Sequence, residues 1–132
     1  MILFHAADLI WATKIKGTAE ALGLAARPVR NLEMLDARLA DSPVGALIVD
    51  LDAPEIALAL IGRIRRADSP AGERSIRVLA FGPHVAVDQL RAAKEAGADS
   101  VMARGGFNAH MPSILKDLAS GGRPADLSEE SA

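Results

Sequence analysis

The chain contains no cysteine. Disulfides, thiolate metal centres and cysteine nucleophiles are therefore excluded, and the chain reads as cytoplasmic. Tyrosine is also absent, and aromatics make up only 3%, as Trp11 and three phenylalanines. That leaves little for a base-stacking platform. No apolar run approaches the ~20 residues needed to span a bilayer. The N-terminus has neither a basic leader region nor a small-residue cleavage site, so no membrane or secretory segment is expected. An excess of positive charge is missing too, since the net charge is −2. A domain living on phosphate contacts would be basic, so nucleic acid is not an expected partner.

What is present is a 132-residue chain, 50% hydrophobic. It is long enough for one domain with a real core, built from Leu, Ile, Val, Ala and Met. Its organising stretch is Ala46-Leu47-Ile48-Val49-Asp50-Leu51-Asp52-Ala53-Pro54. A short apolar run that ends in carboxylates and a proline reads as a strand buried on both faces of a parallel sheet. In open α/β sheets the carboxyl ends of such strands carry ligands and chemistry, which puts Asp50 in a functional position.

The other segments alternate around it. Ile2-Leu3-Phe4 opens a first strand, and Asp8 is a helix N-cap. Trp11, Ile15, Thr18, Ala19 and Leu22 recur at helical spacing until Gly23. Residues 25–29 form a strand whose Pro28 cannot donate to a ladder, which places it at a sheet edge. Asn31 is a second N-cap, followed by Leu32, Leu35 and Leu39 on one stripe. Pro54 suits the first turn of a helix over 55–67. Residues 68–75 read as a polar loop, and Ile76–Phe81 as a fourth strand broken by Gly82. A helix over 86–96, a fifth strand over 99–103, a turn at Arg104-Gly105-Gly106 and a last helix over 108–119 complete the chain. Five strands alternating with five helices imply a three-layer αβα, flavodoxin-like fold with a five-stranded parallel sheet in the order 2-1-3-4-5. Residues 1–119 form the domain, and 120–132 a flexible polar tail.

Four segments in this register resemble the receiver domain of two-component response regulators. They are Asp50-Leu51-Asp52-Ala53-Pro54, Glu95-Ala96-Gly97-Ala98-Asp99, the opening Ile2-Leu3-Phe4, and Ala21-Leu22-Gly23 at the end of the first helix. The resemblance spans about residues 1–119 and implies that Asp50 stands at the phospho-acceptor position. It also exposes departures. The acidic pair that holds magnesium in the family is replaced by Ala6 and Ala7, with Asp8 one residue late. Magnesium favours carboxylate oxygens, and phosphoryl transfer relies on the metal and on cationic groups. The hydroxyl position of the fourth strand is Gly82, the lysine after the fifth is Arg104, the following proline is Gly105 and the switch aromatic is Val101. The resemblance thus implies a degenerate subtype, a pseudo-receiver.

Three readings of Asp50 follow: a working acceptor, a remnant, or a structural cap ion-paired with Arg104. Asp52 reads as a solvated loop residue or helix cap. Asp8, Asp50, Asp52 and His84 would share the carboxyl edge, but their spacing does not select a metal. His5 belongs in or beside the first strand, and His110 faces solvent. Arg63, Arg65, Arg66, Arg74 and Arg77 read as a solvated basic face. Val85, Val87, Val101, Phe107 and Met111 lie where the resemblance places a partner surface, and two readings stay open for them, an exposed interface or ordinary core. The expectation is a non-enzymatic signalling domain that needs no cofactor and acts through protein contacts, self-association among them. The alternative is a phospho-accepting receiver with Asp50 as acceptor and a degraded metal site.

Overall fold

The computed structural model describes residues 1–121. The strands are β1 (Ile2–His5), β2 (Ala26–Pro28), β3 (Ala46–Asp50), β4 (Arg77–Gly82) and β5 (Ser100–Ala103). They form one parallel sheet in the order β2-β1-β3-β4-β5, the order read from the sequence. The helices are α1 (Leu9–Ala21), α2 (Leu32–Asp41), α3 (Pro54–Arg65), α4 (Ala71–Arg74), α5 (Val87–Ala96), α6 (Arg104–Ala109) and α7 (Met111–Ser120).

The purely apolar strands are explained by the two faces they must cover. Successive side chains of a strand point to opposite faces. Leu47 and Val49 of β3 join Leu3, Val78, Ala80 and Val101 beneath α2, α3 and α5. Ala46 and Ile48 join Phe4, Leu79, Phe81 and Met102 beneath α1, α6 and α7. Pro28 sits on edge strand β2, where the missing amide proton costs nothing, and the ladder resumes with Val29 N donating to Phe4 O at 2.8 Å. The expected caps form: Asp8 accepts from Trp11 N at 2.9 Å, Asn31 accepts from Met34 N at 2.8 Å, and Pro54 opens α3.

Several local expectations are corrected. The polar loop 68–75 winds one short helix, α4. Arg104-Gly105-Gly106 is not a turn but the start of α6. The last helix is two helices that break at His110, because Pro112 has no amide to bond back and its ring disfavours helix before it. Gly82 ends β4 instead of breaking it, paired with Ala103. Leu32 is 43% exposed, off the stripe that buries Leu35. Ser120 belongs to α7, and the remainder of the tail expectation, 122–132, lies outside the described residues.

The arginine-rich segment is a solvated face only in part: Arg66 and Arg74 are exposed, but Arg63 and Arg65 are not. Arg63 donates to Asp36 and Glu73, each at 2.7 Å, and to Ser69 Oγ at 3.2 Å, so it ties α3 to α2 and α4. The Glu73 carboxylate beside it holds the Arg63 pKa above the ordinary arginine value, with Asp36 adding and burial opposing. Arg65 donates to Gly97 O at 3.0 Å, Arg74 O at 2.6 Å and Asp99 Oδ2 at 2.7 Å. Only the sequence-distant acceptors reveal this role, and periodicity carries no trace of them.

Gly97 is fixed by that arginine as well as by its backbone. Its φ is +118°, and an added Cβ would lie 2.7 Å from Arg65 Cγ. Gly97→Ala should therefore cost more than about 1 kcal/mol in urea denaturation. Combined with Arg65→Ala the loss should be less than additive, because the clash is removed while the φ strain persists. Strict additivity would show that Arg65 is no part of the constraint.

Candidate functional site

The carboxyl edge of the sheet gathers the ends of β1, β3, β4 and β5. Asp50 ends β3 and is completely buried. Its Oδ2 accepts from the amide of Ala7 at 2.9 Å, and its Oδ1 accepts from the amide of Asp52 at 3.0 Å. Both oxygens are thus occupied by main chain, one amide from the β1–α1 loop and one from the loop that Asp50 itself begins. A carboxylate held by backbone donors is well satisfied, and at 0% exposure neither oxygen faces solvent.

Arg104 does not reach Asp50. Its Nη2 donates to Asp52 Oδ2, which corrects the expected Asp50–Arg104 pair; Asp52 is an exposed loop residue, as read, but ion-paired and not a helix cap. The cap position of α3 is Ala53, without a side-chain bond. Arg104 also lies 6.0 Å over the Trp11 ring, and Lys14 Nζ lies 5.3 Å from that ring while donating to Asn108 Oδ1 at 2.8 Å. Trp11 packs at 5.2 Å from Phe81, which stacks on Phe107 at 4.4 Å. Three of the four aromatic residues thus pack together, joining α1, β4 and α6, with Arg104 and Lys14 over the Trp11 ring. This wall was missed in the sequence, although a single tryptophan in an aromatic-poor chain was the signal available.

Gly82 is closed differently. Leu51, 2% exposed, fills the space beside it, and a Cβ built on Gly82 would lie 3.0 Å from Leu51 Cβ. No hydroxyl fits there without a shift. The residues also do not fit a magnesium ion. Ala6 and Ala7 offer methyl groups, Asp8 Oδ1 is bound to its own helix, and both Asp50 oxygens are engaged. Among the described residues, no three acidic or histidine side chains are grouped to hold a metal. His84 and His110 are exposed. His5 is buried in β1 with Nδ1 3.1 Å from Val29 O, so the ring nitrogen facing that carbonyl is the donor.

The proposed partner residues divide. Val101, Phe107 and Met111 are at most 3% exposed and belong to the core, because β5 is covered on both faces and α6 and α7 turn their apolar sides inward. Val85 and Val87 are 75% and 54% exposed. Leu9 and Ile10, which the sequence reading passed over, are 80% and 70% exposed at the start of α1 on the same edge of the sheet.

Comparison with solved structures matches this architecture. A putative response regulator from Chloroflexus aurantiacus aligns with TM-score 0.74 at 19% identity, covering 90% of this chain and 96% of its own. A signal receiver domain from Bermanella marisrubri aligns with TM-score 0.73 at 19%, covering 89% and 95%. The isolated receiver domain of RcsB from Salmonella enterica aligns with TM-score 0.71 at 18%, covering 99% and 96%. The chain has the receiver fold. No family model matches it, and no curated protein does. No helix among the described residues is long and apolar enough to cross a membrane.

Substitutions at two positions test the geometry of this receiver-like site. Asp50→Asn leaves one buried amide facing an NH₂ group instead of an oxygen, so it should destabilise by about 1–3 kcal/mol in urea unfolding. An unchanged midpoint would show that Asp50 has no structural role. Gly82→Ser should cost about 1–3 kcal/mol through overpacking against Leu51. Gly82→Ala should cost the same, because the conflict is at Cβ. A serine variant clearly more stable than the alanine one would show that the hydroxyl finds a partner.

Proposed function

We propose that this chain is a pseudo-receiver, a non-enzymatic cytoplasmic signalling domain that acts through protein contacts and is not switched by phosphorylation. The observation that carries this reading is the state of Asp50, completely buried with both carboxylate oxygens occupied by the amides of Ala7 and Asp52. In phosphoryl transfer to a carboxylate, that group must be the nucleophile, and charge on the transferred group must be offset by metal and cations. Alanines at 6 and 7 and Leu51 packed against Gly82 remove two of those supports. The remaining cation, Arg104, is committed to Asp52.

Exposed apolar side chains support the contact half of the reading. Leu9, Ile10, Val85 and Val87 crown the edge of the sheet where this fold does its work. Surfaces of that kind mark partner sites. A second copy of the chain is one candidate occupant.

Amide NMR with magnesium and beryllium fluoride, a phosphoryl mimic, decides between this function and a phospho-accepting receiver. The wild type should show no saturable shifts at Ala7, Asp52, Gly82 or Arg104, and its spectrum should respond to the additives no more than that of Asp50→Asn. Saturable shifts there that vanish in Asp50→Asn would overturn the pseudo-receiver reading.

A further inference from the structure

A cleft of about 440 Å³ opens between the start of α1 and the end of β2, next to the loop that Asp50 holds. Ala6, Leu9, Ala12 and Val29 supply apolar walls, and Lys16 and Arg30 bring positive charge. Its size falls in the range of small-molecule sites, as does its apolar lining with a few polar groups. The two cations have little other employment. Arg30 is exposed and makes no ion pair or side-chain hydrogen bond among the described residues. Lys16 meets Glu20 at 3.6 Å with both side chains more than half exposed, a pairing of little strength.

Two further features point the same way. Leu9, 80% exposed, borders this concave surface instead of standing alone on a convex one. Ala6 and Ala7 replace the acidic pair that the resemblance would put in this loop, and two carboxylates there would repel an anion. Asp8 is the one acid on the cleft, and its Oδ1 is held by the Trp11 amide.

We propose that the cleft binds a small amphipathic organic anion, a carboxylate on an apolar body. The carboxylate lies against Arg30, whose planar fork of donors matches it, with Lys16 adding charge. The apolar body lies along Leu9, Ala12 and Val29. The Ala7 amide, bonded to Asp50, belongs to the same loop, so occupancy of the cleft is read out at the buried aspartate.

The test is a titration of amide NMR spectra with hexanoate, hexanamide and sodium phosphate at constant ionic strength. Wild type, Arg30→Glu and Arg30→Lys are compared. Hexanoate should give saturable shifts at Ala6, Ala7, Thr13 and Arg30, with a Kd on the order of 10 mM or tighter for so small a molecule. Hexanamide and Arg30→Glu should each weaken binding about fivefold or more, and Arg30→Lys, which keeps the charge but not the fork, should weaken it less than Arg30→Glu does. Three results would each overturn the assignment: no saturable shift with hexanoate, equal binding of hexanamide, or the same shifts at the same strength from phosphate alone. Arg30 is exposed, so its variants should keep the wild-type spectrum elsewhere, and indifference of hexanoate binding to Arg30→Glu would likewise count against it.

Discussion

The carbonyl edge of this sheet is organised by one carboxylate bound to two main-chain amides. Asp50 ends the central strand without any exposure to water. A buried ionised group is tolerated only when it is hydrogen-bonded. Here the partners are the amides of Ala7 and Asp52, so burial is compensated and two loops are fixed in the same step. The β1–α1 loop can approach this closely because its side chains are methyl groups. Acidic side chains at 6 and 7 would bring negative charge against Asp50 and require a cation to offset it. The methyl side chains at 6 and 7 and the amide contact to Asp50 therefore belong to one arrangement.

The rest of the edge follows from that closure. With Asp50 satisfied by backbone, Arg104 is released to Asp52 and settles over the Trp11 ring. The pair joins the end of β5 to the loop after β3. Beneath it, Trp11, Phe81 and Phe107 fill the space between α1 and α6. Leu51 leans into the room left by Gly82. A phosphoryl group would meet apolar packing on one side and occupied oxygens on the other.

Much of this was legible in the sequence, and the part that was not has a physical explanation. The sheet order followed from alternating short apolar runs and from Pro28, because a proline at that position fits only an edge. Ala6, Ala7 and Gly82 could be placed at the carboxyl edge once the resemblance fixed their register. What stayed hidden were contacts between residues distant in the chain. That Arg104 would choose Asp52 over Asp50 depends on a main-chain amide winning Asp50 first, and amides carry no side-chain signal. For Val101, Phe107 and Met111 surface and core both stayed open, because an apolar residue carries no sign saying which way it faces. The structure turns all three inward and leaves Val85, Val87, Leu9 and Ile10 outside.

That exchange changes what the edge can offer. Phosphorylation works on a fold of this kind by placing a compact anion among polar groups, so the site must be wet, charged and open. Here the same edge buries Asp50 and is apolar on its crown, while Arg30 and the weakly paired Lys16 bring positive charge to one side, beside the α1–β2 cleft. The Ala7 amide connects the two regions, because the loop that lines the cleft is the loop that Asp50 holds. Displacement of that loop by anything seated in the cleft acts on a buried carboxylate, whose loss of a donor is expensive. The two amides that hold Asp50 are therefore what would make it sensitive to its neighbours.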